Sequence, residues 1–182
     1  MKAAEKEGRE STGSVWLVLV LGLLCWLPAL LAAQGGQAAS SKTLPPLVVV
    51  VSQKAELVDL SLQELKQIFL AERKTLNGKR VIPLDPDPHT PTRIQFDRIV
   101  LGMTPDQVGR YWVERKIRGQ GDPPRTISAS ALLLKIVANR DEFISYVRAD
   151  QLVPGVRAIR VDGKTYQDRD YPLQGEKEMA SP

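Results

Sequence analysis

The fold is decided by residues 81–96, which read Val-Ile-Pro-Leu-Asp-Pro-Asp-Pro-His-Thr-Pro-Thr-Arg-Ile-Gln-Phe. The stretch predicts a short buried strand, a loop stiffened by prolines and a helix start. Thr90 is a good N-cap because its hydroxyl can accept a hydrogen bond from an unpaired backbone N–H, and Pro91 falls at the first helical position. Such a loop can bind an anion with its backbone N–H groups. The carboxylate of Asp85 could accept a proton from a protonated oxygen of a bound phosphate. The alternative is an ordinary capped turn.

The first 38 residues have the layout of a secretory signal peptide. No charged residue lies between positions 11 and 41, an apolar run covers 15–27, and small residues follow at 32–39. This pattern is typical of a cleaved export signal, so we expect a periplasmic protein. The apolar run to residue 31 is also almost long enough for a tilted membrane anchor. A membrane-anchored protein that faces the periplasm is therefore the alternative.

The composition argues against several classes of protein. The 182 residues include one cysteine, Cys25, which lies in the N-terminal segment, and one histidine, His89. Thiolate chemistry and a metal site with several ligands therefore have no candidates in the rest of the chain. We find no catalytic triad and no glycine-rich nucleotide loop, so we expect neither an enzyme, nor a metal site, nor a cofactor. The net charge of +4 is compatible with an anionic ligand, and the basic residues at 110–118 indicate a solvated helix face rather than a nucleic-acid site.

The remaining patterns predict alternating strands and helices. Residues 47–51, Leu-Val-Val-Val-Val, are typical of a central strand that is covered on both faces. Residues 61–64 and 104–107 are capping boxes, which predict two helix starts, and Ser128 or Ser130 is expected to cap another helix. This alternation predicts an α/β domain with a mixed, mostly parallel sheet flanked by helices.

Polar side chains follow three of the predicted strands. Ser52 ends the first strand, Thr90, Thr92 and Arg93 lie after the second, and Ser128 follows a third. Ligands of parallel α/β sheets bind beyond the carboxyl ends of the strands, so we expect these five residues at one edge of the sheet. Hydroxyl groups and an arginine that can bind in a bidentate manner suit an oxyanion such as phosphate. For each serine, a polar loop residue without a ligand is the alternative.

Several motifs, in their order along the chain, resemble the periplasmic phosphate-binding proteins of ABC transporters, and in particular a small single-domain branch of that family. The similarity extends over residues 47–173, after a predicted linker at 39–46 and before a predicted disordered tail at 174–182. The chain departs from the family's pattern at residues 141–143, where Pro-Gly-Ala is usual, and at Ser145, where glycine is usual. The motifs are Leu60-Ser61-x-x-Glu64-Leu65-x-x-Ile68-Phe69, Thr90-Pro91-Thr92-Arg93 followed by Phe96, Val100-Leu101-Gly102, Tyr111-Trp112, Gly119-x-Gly121-x-Pro123-Pro124, Ile144-Ser145-Tyr146-Val147, Val161-Asp162-Gly163 and Tyr171-Pro172-Leu173.

The resemblance implies a periplasmic-binding-protein-like single domain that binds phosphate or a related oxyanion and serves an ABC transporter. The expected protein partner is then the permease of the transporter or a membrane sensor, and the membrane is contacted only through an uncleaved N-terminal segment. The chain is much shorter than a two-lobed binding protein. An interaction or sensory module of the same fold, without ligand binding, is therefore the alternative function.

Overall fold

The computed structural model describes residues 44–174. The predicted signal peptide or anchor, most of the predicted linker and all but the first residue of the predicted tail lie outside these residues. Among residues 44–174, no helix has the length and apolar character that are needed to cross a membrane.

Strands and helices alternate along this part of the chain, as the sequence patterns predict. The strands are β1 (Leu47–Ser52), β2 (Asp59–Leu60), β3 (Thr75–Leu76), β4 (Lys79–Arg80), β5 (Ile82–Asp85), β6 (Arg125–Thr126), β7 (Phe143–Arg148), β8 (Val156–Ala158) and β9 (Arg160–Val161). The helices are α1 (Leu62–Phe69), α2 (Pro91–Phe96), α3 (Pro105–Ile117) and α4 (Ser130–Asn139). Helix α2 continues as a π-helical turn at Asp97–Leu101, and a 3₁₀ turn covers Ala149–Gln151.

Five strands form the main sheet, in the order β6-β5-β7-β1-β8. Strand β5 is parallel to β6 and β7, whereas β1 is antiparallel to both of its neighbours, β7 and β8. Four of these strands therefore run in one direction, and β1 runs against them. The prediction of an α/β domain with a mixed, mostly parallel sheet is confirmed.

Strand β1 is the covered central strand that its sequence predicts. All of its residues are buried, and its successive side chains point to opposite faces because a strand has a period of two. Leu47, Val49 and Val51 pack in a core that includes residues of α1, α2 and α3, while Val48 and Val50 pack against α4. Because apolar side chains cover both faces of β1, its sequence does not alternate between apolar and polar residues.

Local capping signals position three of the four helices. The predicted capping boxes at 61–64 and 104–107 both form, at the starts of α1 and α3. Thr90 is the N-cap of α2, and Pro91 occupies its first turn. These contacts fix the point at which the loop after β5 enters α2, and therefore the position of the residues in the first turn of α2.

The prediction for the start of α4 is wrong. Its N-cap is Ala129, which makes no capping hydrogen bond with its side chain, and the helix begins at Ser130. Ser128 lies one residue before this cap, and its hydroxyl donates to the carboxylate of Asp87, at 3.3 Å. A contact across 41 residues of sequence has replaced the local one.

Candidate functional site

The carboxyl end of β5 and the helix α2 meet at a buried cluster of charged side chains. Nη1 of Arg93 lies 2.7 Å from Oδ2 of Asp85, the last residue of β5. Nε of the same guanidinium donates to both carboxylate oxygens of Asp97, at 2.8 Å each. The three side chains are at most 8% exposed, so these contacts are buried ion pairs. We call these three residues the Arg93 cluster.

The sequence assembles the Arg93 cluster from two directions. Arg93 and Asp97 are four residues apart on one helical stretch, a spacing that places two side chains on the same face. Tyr146 on the neighbouring strand β7 donates its hydroxyl to Oδ1 of Asp85, at 3.1 Å. The ring of Tyr146 stacks on Phe96 with 3.6 Å between ring centroids. The aromatic pair therefore covers the cluster from the core side and fixes the orientation of the Asp85 carboxyl group.

Burial determines the ionisation of these groups. Burial raises the pKa of Asp85 to about 7, although the nearby Arg93 guanidinium opposes this rise. The pKa of Asp97 is raised for the same main reason. Burial lowers the pKa of Arg93, but the neighbouring acidic groups raise it by more, so the net direction is upward. The cluster carries a net charge of −1 when both acids are ionised and 0 when Asp85 holds a proton, and the two states are both populated near neutral pH.

The Arg93 cluster lines a cavity of about 210 Å³ at the carboxyl ends of β5 and β6. Trp112 of α3 and Thr126 of β6 also line it. The remaining lining includes four prolines, whose fixed φ angles stiffen the surrounding loops: Pro88, Pro105, Pro123 and Pro124. The cavity therefore offers a guanidinium, a hydroxyl and two carboxyl groups within rigid walls, a set that suits a small polar ligand.

Four of the five predicted ligand residues lie at this edge of the sheet, but only Arg93 lines the cavity. The Thr90 hydroxyl donates to the Asp87 carbonyl, at 2.8 Å, and accepts from the backbone N–H of Arg93, at 3.3 Å. Thr92 is half-buried in the first turn of α2. Ser128 is exposed and, through its bond to the Asp87 carboxylate, joins the loop that precedes Thr90. Ligand binding by these residues remains a prediction.

Ser52 lies at the opposite edge of the sheet. Because β1 is antiparallel to its neighbours, its carboxyl end lies beside the start of β8, where Ser52 pairs with Val156. The Ser52 hydroxyl is buried and donates to the Ala138 carbonyl, at 3.4 Å. The prediction that Ser52 joins the edge with Thr90 is wrong, since it assumed that β1 runs in the same direction as β5.

Two members of this site were not predicted from the sequence. Asp97 follows Arg93 by four residues, and this spacing was a signal that could have been read from the sequence. Tyr146 lies 61 residues from Asp85, within an apolar run that predicts only a strand. Its hydrogen bond to Asp85 depends on the pairing of β5 with β7, which no local pattern specifies.

The carboxylates of the cluster do not form a metal site. Within residues 44–174, no group of three or more His, Cys, Asp or Glu side chains could hold a metal ion. Asp85 and Asp97 are both bonded to Arg93, whose positive charge takes the place that a cation would need.

A larger cavity, of about 440 Å³, lies at the opposite edge of the sheet. Its lining includes the apolar residues Val51, Leu57 and Phe143, together with an ion pair between Lys79 and Glu56. The side chains of that ion pair are 64% and 79% exposed. Perturbed, buried ionisable groups are a better sign of a functional site than volume alone, so the smaller cavity at the Arg93 cluster is the stronger candidate.

Comparison with known proteins supports the fold. No family model matches the chain, and no curated protein sequence matches it. A putative phosphate ABC transporter substrate-binding protein with bound phosphate, from Clostridium perfringens, matches with a TM-score of 0.56 and 16% identity over 68% of this chain and 48% of that chain. An ABC-type phosphate transport receptor from Vibrio cholerae matches with a TM-score of 0.55 and 13% identity, over 68% of this chain and 48% of that chain. The fold is periplasmic-binding-protein-like.

A third structure, PstS from Borrelia burgdorferi, matches this fold with a TM-score of 0.55 and 9% identity, over 73% of this chain and 55% of that chain. The chain thus spans about half the length of the binding proteins that it resembles. At these identities the similarity establishes the fold, and the ligand has to be argued from the site.

Proposed function

We propose that this periplasmic-binding-protein-like domain binds phosphate or a similar small oxyanion in the cavity at the Arg93 cluster. The observation that carries the proposal is the guanidinium of Arg93, which two buried carboxylates fix on the wall of that cavity. Among the contacts within residues 44–174, they engage Nη1 and Nε, so we expect Nη2 to donate to an oxyanion. One charge-assisted hydrogen bond contributes roughly 1.5–3 kcal/mol, so useful affinity requires further donors.

The further donors would be hydroxyl groups at the same edge of the sheet. Thr126 lines the cavity, and Thr92 and Ser128 lie in adjacent segments. The hydroxyl of Thr90 already donates and accepts a hydrogen bond, so its role in this proposal is to hold Arg93 in place by capping α2. Ser52 has no role, because it lies at the other edge.

The charge of the site makes the proposal more specific. An oxyanion beside two carboxylates is repelled unless a proton lies between them. The pKa of Asp85, about 7, makes that proton available near neutral pH, and a bound anion would raise this pKa further. We therefore expect proton uptake on binding, and an affinity for oxyanions that falls as the pH rises above about 7.

A transport role is the natural context for such a site. The matching structures belong to phosphate transport proteins, which supports phosphate as the ligand and an ABC transporter permease as the partner. The predicted N-terminal signal supports export to the periplasm. Intact-mass measurement of the exported protein tests that part of the proposal, since a full-length species that sediments with membranes would contradict cleavage.

The second candidate function is an interaction or sensory module that has lost ligand binding. Two observations favour it. Arg93 is already neutralised by Asp85 and Asp97, and the chain spans about half of the binding proteins that it resembles. In this case the Arg93 cluster would serve only to join β5 to α2.

Titration calorimetry with phosphate and with sulfate separates the two functions. We expect both anions to bind more tightly at about pH 6 than at about pH 8. Sulfate carries no proton in this range, so proton uptake with sulfate, measured in buffers of different ionisation enthalpy, would report on the protein. Phosphate at about one hundred times its dissociation constant should stabilise the fold by ~2.7 kcal/mol.

Two variants make the measurement specific. Arg93→Lys keeps a positive charge but loses the planar donor set, and we expect it to weaken oxyanion binding. Arg169→Gln removes an exposed positive charge outside the cavity and should leave binding unchanged. If no oxyanion gives a binding heat, and melting is the same in each salt at matched ionic strength, the interaction module is the correct function.

A further inference from the structure

The outward side of α3 carries apolar residues without a partner among residues 44–174. Val113 is 60% exposed and Ile117 is 82% exposed. Pro105 and Gly109 precede them at the same spacing of four residues, and all four line one shallow groove. An added Cβ at Gly109 would meet no atom within 4 Å, so the backbone of α3 is accessible there. We call this surface the α3 outer face.

A row of charges runs beside these apolar residues. Asp106, Arg110, Glu114 and Arg118 also follow one another at intervals of four, so their signs alternate along the helix. All four are exposed, and the Glu114 and Arg118 side chains form an ion pair at the C-terminal end of the helix. Residues four apart form the ridges through which two helices most often pack, so the apolar row and the charged row are adjacent ridges on one face.

The order of the charges makes this face complementary to itself in one orientation only. When two copies of α3 pack antiparallel about a two-fold axis at the level of residue 112, Asp106 of one copy faces Arg118 of the other, and Arg110 faces Glu114. In a parallel pair the two charged rows would lie on opposite sides of the contact, because the two-fold axis then runs along the helices, and no opposite charges would pair. A closed two-fold dimer requires such a self-complementary patch.

We propose that the α3 outer face is the contact surface for a second copy of this chain, which packs its own α3 antiparallel to the first. Val113 and Ile117 supply the apolar centre of the contact, and Gly109 lets the two helix backbones approach each other. This proposal goes beyond the oxyanion function and does not depend on it. Pro105 and Gly109 also line the cavity at the Arg93 cluster, so the second copy would lie beside the opening of that cavity.

Sedimentation velocity over a concentration series tests the proposal. We expect the full chain to change from monomer to dimer at concentrations up to about 100 µM, since a single pair of helices gives an interface at the small end of the known range. Val113→Asp should weaken dimerisation at least about tenfold, because it places like charges at the apolar centre. Leu132→Asp is the matched control: Leu132 is 50% exposed on α4, and we expect no change. Residues 1–43 are present in every variant, so their contribution is common to all.

A charge exchange tests the antiparallel orientation. Arg110→Glu with Arg118→Glu makes the row wholly acidic, and Asp106→Lys with Glu114→Lys makes it wholly basic. Each double variant alone should be monomeric at low ionic strength, and an equal mixture of the two should form a heterodimer at least as tight as the wild-type dimer. Circular dichroism and melting confirm that each variant is folded; if one is not, Val113→Asp alone decides the question. A wild-type chain that stays monomeric, or variants that dimerise like the wild type, would overturn the proposal.

Discussion

The dependence of stability on pH should report directly on the buried carboxyl group of Asp85. Its pKa is about 7 in the folded protein, against an ordinary value of 3.8. The folded state therefore binds the proton more tightly than the unfolded state does. The resulting stabilisation is fully present below the ordinary value and is lost as the pH rises through the folded value. Three pKa units correspond to roughly 4 kcal/mol in total, at 1.36 kcal/mol per unit.

The perturbation is Asp85→Asn, which keeps the shape of the side chain and removes its titration. In the wild-type chain, the free energy of unfolding should fall by roughly 2–3 kcal/mol between about pH 5 and about pH 8. In Asp85→Asn most of this fall should vanish. A smaller slope of the same sign should remain, because the pKa of Asp97 is also raised.

Urea unfolding at half-unit pH intervals measures this difference. The range begins at about pH 5 because several surface acids with lowered pKa values, among them Glu56, Glu64 and Asp170, lose stabilisation only below that point. Asp141→Asn, at an exposed carboxyl outside the cluster, is the control and should keep the wild-type slope. Equal slopes in the wild type and in Asp85→Asn would show that Asp85 is not the titrating group. The expected proton uptake by Asp85 on oxyanion binding would then be contradicted as well.

Three further predictions concern core packing, the buried ion pairs and helix capping. Trp112→Ala should lower the free energy of unfolding by about 3–5 kcal/mol, because Trp112 is buried, while Val113→Ala on the exposed side of α3 should stay within about 0.5 kcal/mol; denaturant unfolding distinguishes them. Arg93→Met leaves two buried carboxylates without their cation and should cost about 3–5 kcal/mol at neutral pH, and less at about pH 5, where Asp85 is protonated; equal losses at both pH values would contradict this. Thr90→Ala should lower the free energy of unfolding by about 1 kcal/mol, because α2 loses its cap. Ala129→Asp should raise it by about 1 kcal/mol, because it supplies the cap that α4 lacks. Thermal melting with the wild type as reference checks the sign of both changes.

The parts of this fold that the sequence predicts are those governed by contacts within a few residues. The capping boxes at 61–64 and 104–107 satisfy N–H groups three residues away, so the residue types at that spacing are sufficient evidence. The turn at Asn77-Gly78 has positive φ angles at both residues, a conformation that these two residue types tolerate best. The complete burial of β1 also follows from its own composition.

The direction of β1 could not be predicted from its sequence. A run of valines suits any strand that is covered on both faces, whether it pairs parallel or antiparallel. The direction depends on the path of the chain between β1 and its partners β7 and β8, which follow it by about a hundred residues. The error in direction moved Ser52 to the wrong edge of the sheet. The position of Arg93 could be predicted because it depends on the neighbouring cap at Thr90.

If the only role of the Arg93 cluster is to join β5 to α2, apolar side chains would stabilise that contact at least as well. Buried ion pairs are often no more stabilising than apolar side chains of the same volume, because two charges must first leave water. Asp85 adds to that cost, since burial raises its pKa to about 7 and it is partly ionised at neutral pH. An apolar group at each of these positions would hold the strand and the helix together without this cost. The cluster instead lines a cavity with rigid walls. In that position, a guanidinium with fixed orientation and a carboxyl group that titrates near pH 7 can both take part in binding a ligand. This contrast between cost and position favours a binding role over a purely structural one.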